Sequence, residues 1–107
     1  MAPSKPYELI YDTQIFEHVA RIESKYHSLI KREIKKQLAF EPETETRNRK
    51  PLSRPSVLGT AWELRCGPNN RFRVFYRTDR EARQVHILAI GEKSGNILKI
   101  GGKEFSL

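Results

Sequence analysis

The stretch Trp62-Glu63-Leu64-Arg65-Cys66, the segment Gly67-Pro68-Asn69-Asn70 and the run Arg71-Phe72-Arg73-Val74-Phe75-Tyr76-Arg77-Thr78 decide the fold of this chain. Side chains alternate between the two faces of a strand with a period of two. In the first run Trp62, Leu64 and Cys66 share one face, and Glu63 and Arg65 take the other. In the second, Phe72, Val74 and Tyr76 point inward while Arg71, Arg73, Phe75 and Arg77 point outward. The segment between them is a hairpin turn by composition. A charged turn at residues 79–83 leads to Gln84-Val85-His86-Ile87-Leu88-Ala89-Ile90. That run is apolar on both faces and predicts a central strand.

Upstream, residues 7–11 are aromatic and β-branched and read as a strand. Asp12 or Thr13 then caps a helix with an apolar stripe of Ile15, Phe16, Val19 and Ile22. A break at Glu23-Ser24, with Ser24 as a second cap, opens another helix. This one carries Tyr26, Leu29, Ile30, Ile34 and Leu38 on one side and Lys31, Arg32, Lys35 and Lys36 on the other, and Pro42 ends it. Residues 41–60 read as a long irregular loop, with Glu41, Glu43 and Glu45 followed by Arg47, Arg49, Lys50 and Arg54. Pro51 and Pro55 stiffen the loop and Gly59 ends it; connections of this length are commonly functional. Downstream, Gly91 begins a glycine-rich turn and a brief strand or extended tail around residues 97–100. The order β-α-α-β-β-β predicts an α+β fold, a helical hairpin packed on one face of a small, mainly antiparallel sheet, as a single domain over residues 1–107.

Net charge is +7, and its distribution is uneven. Residues 1–46 hold seven Lys/Arg and eight Asp/Glu, whereas residues 47–107 hold thirteen and five, a net of +8. Nine of those thirteen are arginine, whose planar fork matches phosphate oxygens and stacks on bases. A surface that served only solubility would have no reason to segregate its charge, so the second half points to RNA or another polyanion. No apolar run comes near the roughly 20 residues of a membrane span. Met1 to Pro6 contains no apolar stretch, so no secretory signal is expected. Cys66 is the single cysteine; it reads as a buried strand residue, and its isolation fits a reducing cytoplasm.

The run from Trp62 through Asn70-Arg71-Phe72-Arg73-Val74-Phe75-Tyr76, then Val85 through Gly91-Glu92-Lys93, resembles the RelE/ParE superfamily of bacterial toxins. Arg49-Lys50-Pro51-Leu52 is similar to the segment leading those toxins into their second strand. The resemblance implies a RelE-like fold and the toxin of a toxin–antitoxin pair from a prokaryote. RelE-like members cleave mRNA in the ribosomal decoding site, and ParE-like members poison DNA gyrase. It implies three partners, a cognate acidic antitoxin, mRNA and the ribosome, and no membrane. The family arginine of the third strand falls on Arg73, a basic residue of the second strand on Arg65, and the basic residue after the fourth strand on Lys93. Basic residues of the preceding loop fall near Arg49 and Lys50. The chain departs from the family at Glu63, where some members carry lysine, and in its tail, which has no tyrosine to stack on the substrate.

RNA supplies its own nucleophile, the 2′-OH, so cleavage needs a base for its proton, positive charge on the phosphorane and an acid for the 5′-oxygen. Arg65 and Arg73 are the candidates for charge stabilisation. Glu63 is one candidate base, and a lysine with a depressed pKa, Lys50 or Lys93, is the other. Arg49, Arg71, Phe75, Arg77 and Lys99 form the expected RNA-binding set, with Phe75 offered to a base or to the antitoxin. Three dispersed histidines and one cysteine have no metal-ligand spacing, so neither metal nor other cofactor is expected. His86, in mid-strand, reads as packed or partner-facing; His18 and His27 read as solvent-facing, and Trp62 and Tyr76 as core. Two rival readings stand beside the nuclease: a ParE-like gyrase inhibitor and a non-catalytic RNA-binding module that grips backbone alone.

Overall fold

A computed structural model describes residues 5–53 and 61–105. Strand β1 (Glu8–Tyr11) is followed by helices α1 (Ile15–Ala20) and α2 (His27–Leu38), then by strands β2 (Arg49–Pro51), β3 (Trp62–Cys66), β4 (Phe72–Asp79), β5 (Gln84–Ser94), β6 (Ile97–Ile100) and β7 (Lys103–Phe105). One sheet runs in the order β2-β3-β4-β5-β6-β7, and β1 pairs with β5. All pairings are antiparallel except β1 with β5. The α+β fold with a helical hairpin on one sheet face is therefore the observed one. The sheet is larger than the sequence pattern predicts: β2 lies inside the expected loop, and β7 is an added strand. Arg54, Pro55 and Gly59 of that loop lie outside the described residues. No described helix is long and apolar enough to cross a membrane.

The helices are short and depend on the sheet for their stability. The Asp12 side chain opens α1 by accepting the Gln14 N–H at 3.0 Å. Ile15 and Ile22 are buried and Val19 packs beside them, but Phe16 is 85 % exposed and leaves the expected stripe. Ser24 does not cap; it starts a single 3₁₀ turn that leads into α2. Ile30, Ile34 and Leu38, spaced four apart on α2, are buried against Leu64, Cys66, Phe72, Val74 and Tyr76 of the sheet. Helix α2 ends at Leu38, ahead of Pro42. Pro42 is buried, and its carbonyl accepts the Tyr76 hydroxyl at 2.7 Å. Trp62 stacks on Tyr76 with ring centroids 6.2 Å apart. Cys66 is 4 % exposed, and burial pushes its thiol up to about 12.

Strand β5 is central, as its two-faced apolar run predicts, but it continues through Gly91 to Ser94. Its partner on one side is β4; on the other, β1 covers residues 84–87 and β6 covers residues 91–94. Continuation through Gly91 brings β6 close. A Cβ at Gly91 would lie 2.8 Å from the Lys99 carbonyl oxygen and 2.9 Å from Ile100 Cγ1. Leu98 and Ile100 thereby join Phe75 and Ala89 in a second apolar cluster on the face away from the helices, flanked by Leu52 and Phe105. Gly91→Ala should therefore lower stability by about 1–3 kcal/mol through overpacking, with strand content retained. Urea unfolding followed by tryptophan fluorescence, alongside far-UV circular dichroism, checks both parts.

Candidate nucleic-acid interface

Strand register sets the side chains of the second sheet face in rows. Lys50, Glu63, Phe75 and Ala89 are successive cross-strand partners in one row. Arg65, Arg73, Gly91 and Ile100 form the next. Two arginines directly opposite on adjacent strands repel one another unless an anion intervenes. Glu63 is that anion. Its Oε1 accepts from Arg65 Nε at 2.7 Å and from Arg73 Nη1 at 3.4 Å. Glu63 is 4 % exposed, which removes it from the open position expected of a general base.

Arg73 is 8 % exposed and does not project freely from the sheet. Its Nε donates to the Asn70 carbonyl at 3.1 Å, so a backbone group and a carboxylate orient the guanidinium together. Among the described residues, Nη2 has no protein partner. Burial holds the Arg73 pKa below the usual arginine value, Glu63 acts against that, and Arg65 adds to it. The Asn70 carbonyl is brought to Arg73 by the turn Gly67–Asn70, in which Gly67, Asn69 and Asn70 all adopt positive φ. Asparagine tolerates this conformation better than most residues. Asn69, Asn70, Arg73, Lys93, Ser94 and Gly95 line an open groove of ≈ 490 Å³.

The expected site residues separate into groups. Arg65, Arg73 and Glu63 form one cluster, and Lys93 shares the groove with Arg73. Lys50 stands opposite Glu63 in the pairing but is exposed, with Nζ 3.7 Å from Glu45. Phe75 is 1 % exposed in the second apolar cluster, so it is not open to a base. Arg49 is buried toward the helical layer, where its Nη1 donates to the carbonyls of Gln37 and Glu41. Its expected place among exposed phosphate contacts is thereby corrected. Arg71 precedes β4 in helical conformation and escapes the alternation; it pairs with Glu92 and lies over the Tyr26 ring. Arg77 is exposed opposite His86, away from the arginine cluster. Lys99 sits between Leu98 and Ile100, which face the second cluster, so its side chain faces the helix side.

Two of the histidines, His18 and His27, also differ from expectation. His18 is 7 % exposed, and its Nδ1 accepts the Ile90 N–H at 3.2 Å. Burial lowers its pKa against the opposing effects of Glu17 and Asp12. His27 is half-buried, with Nε2 at 2.8 Å from the Ile22 carbonyl. His86 is half-buried, as its mid-strand position implies. The sequence reading missed the Asn70 carbonyl; the Asn-Asn turn was its visible signal, there read only as a connection.

No family model matches the chain, and no curated protein is significantly similar to it. Among solved structures, it is similar to a chain of the crystal structure of the RelBE2 toxin–antitoxin complex from Mycobacterium tuberculosis. The two are 26% identical, with a TM-score of 0.63, and the match covers 82% of this chain and 99% of the other. The fold is RelE-like, as the resemblance around Trp62, Arg73 and Gly91 implies.

The cluster predicts an order of destabilisation. Arg73→Ala strips one guanidinium from a buried carboxylate and should cost about 2 kcal/mol. Arg65→Ala removes a side chain that is 37 % exposed and should cost under about 1 kcal/mol. Glu63→Gln leaves two facing cations without their anion and should cost at least as much as Arg73→Ala. Chemical denaturation of the three variants measures this order.

Proposed function

We propose that the chain is the toxin of a toxin–antitoxin pair and acts as a metal-independent, ribosome-dependent endoribonuclease on mRNA in the cytoplasm. The observation that carries this reading is the fixed Arg73 guanidinium, held by Glu63 and the Asn70 carbonyl beside the Lys93 groove, with Nη2 unpartnered among the described residues. A guanidinium oriented before substrate arrives can stabilise the phosphorane more than the ground state. In the proposed step the 2′-oxygen attacks phosphorus and the bond to the 5′-oxygen breaks, leaving a 2′,3′-cyclic phosphate and a 5′-hydroxyl. Arg73 and Arg65 take the charge developing on the non-bridging oxygens. Lys93 is the favoured group for proton transfer, since Glu63 is already held by two arginines and Lys50 lies outside the groove.

A second reading, a ParE-like gyrase inhibitor, has one observation in its favour. Phe75 is buried, and among the described residues no aromatic side chain lines the Arg73 groove to stack on a splayed base. Pulse labelling after induction in bacteria separates the two, since the nuclease stops protein synthesis first and the gyrase inhibitor stops DNA synthesis first.

Arg73→Ala should lower the cleavage rate by roughly 10²–10³, the usual effect of losing one preorganised donor. Arg73→Lys should restore part of it, because the charge returns without the fork. Primer extension on ribosome-bound mRNA, at a temperature where circular dichroism shows both variants folded, makes the comparison. Cleavage should continue in EDTA. Near wild-type cleavage by folded Arg73→Ala would remove Arg73 from the chemistry, and RNA binding without any cleavage would leave a passive RNA-binding module.

A further inference from the structure

A second groove, of ≈ 370 Å³, lies on the helix side of the sheet between α1 and the β6–β7 turn, and the proposed reaction makes no use of it. His18, Arg21, Arg71 and Lys99 supply its polar wall, with Glu92 as the only acid among the described residues, over Ile22, Ile90 and Ile97. Arg71 already pairs with Glu92, whereas Arg21 and Lys99 have no ion pair among the described residues. The His18 ring is nine-tenths buried, and its Nδ1 accepts from the Ile90 backbone, so the ring proton resides on Nε2. That N–H has no partner among the described residues. The turn at Gly101 and Gly102, both at positive φ, tucks against this wall. A Cβ at Gly101 would lie 3.3 Å from His18 Cδ2, and one at Gly102 would lie 3.4 Å from Arg21 Nη1. Ile97, at the rim, is 46 % exposed.

We propose that this groove seats an acidic peptide segment of a partner protein, with a carboxylate on Arg21, Lys99 and the His18 Nε2–H and an adjacent aliphatic side chain on Ile22, Ile90 and Ile97. The inference rests on the proposed function only in taking that partner to be the antitoxin. Surplus positive charge selects an acidic ligand. The floor of Ile22, Ile90 and Ile97 favours peptide over RNA, because it can bury an aliphatic side chain, which a peptide carries and a nucleotide does not. The Tyr26 ring is covered by the Arg71 guanidinium at 5.3 Å. Arg71 borders both grooves, and its carbonyl accepts the Lys93 N–H at 2.8 Å. An occupant of this groove thus sits behind the strand ends that carry Lys93 and leaves Arg73 uncovered.

The test selects 12-residue peptides from a randomised display library on the full chain and measures binding of the synthesised winners by fluorescence anisotropy. The winners should carry Asp or Glu next to Leu, Ile, Val or Met. Arg21→Glu and Lys99→Glu, both at exposed positions and checked for folding, should each weaken binding by about tenfold or more. Changing the peptide acid to its amide should do the same, while Arg73→Ala should leave the affinity within about twofold. Failure to enrich any peptide, winners without an acid, or affinity indifferent to both charge reversals would overturn the inference. So would displacement of the peptide by an oligouridylate RNA that depends on Arg21 and Lys99. A winner lost with Arg73→Ala would put the peptide in the other groove, overturning this seat while leaving the growth-arrest and labelling tests of the toxin reading untouched.

Discussion

The Glu63 carboxylate is 5 % exposed at its side chain and lies between two guanidiniums that strand pairing places directly opposite one another. Each of the three charges alone would be costly there, the carboxylate by desolvation and the arginines by mutual repulsion. Together they form a unit whose geometry is set by the β3–β4 register. Arg73 gains a fixed direction from it, with the Asn70 carbonyl as a second hold. The turn, the hairpin register and the open groove all take their functional meaning from that one shared oxygen.

The second sheet face is divided as a result. Its charged part lies beside the Gly67–Asn70 turn, and its apolar part, around Phe75 and Ala89, lies under Leu98 and Ile100. A chain of 107 residues has little core to draw on, and this second cluster adds to the main one between helices and sheet. The same cluster withdraws Phe75 from solvent. A ligand on this face would therefore meet guanidinium and ammonium groups, since the aromatic that the alternation places there is committed to packing.

Most of the architecture was legible because the signals were periodic. Phe72, Val74 and Tyr76 in one strand, and Ile30, Ile34 and Leu38 on α2, read correctly from spacing alone. Most of the misreadings share a different cause, a partner that lies outside the local periodic pattern. Arg49 looks like one more base of a loop until the Gln37 and Glu41 carbonyls claim it. His18 looks exposed on a short helix until the Ile90 N–H reaches it across 72 residues. Phe75 points outward as expected, but the tail that covers it is glycine-rich and masks its own strands. Arg71 fails for a local reason, because the turn holds it in helical conformation and the period of two begins only at Phe72.

Strand β5 receives β1 along one stretch of its edge and β6 along another, so the first strand and one from the far end of the sequence meet on the same neighbour. Glu8 finds its register partner at Gln84, a separation of 76 residues. Such pairing cannot form while the chain is still short, and long-range β pairing is slow even when the chain is whole. The Arg73 groove has the same dependence, since Lys93, Ser94 and Gly95 make up one of its walls. The groove thus forms only after the chain has been made through Gly95. For a protein proposed to act against translation, this dependence on long-range pairing makes the groove form later than the local hairpins, and the interval is available for a partner to engage.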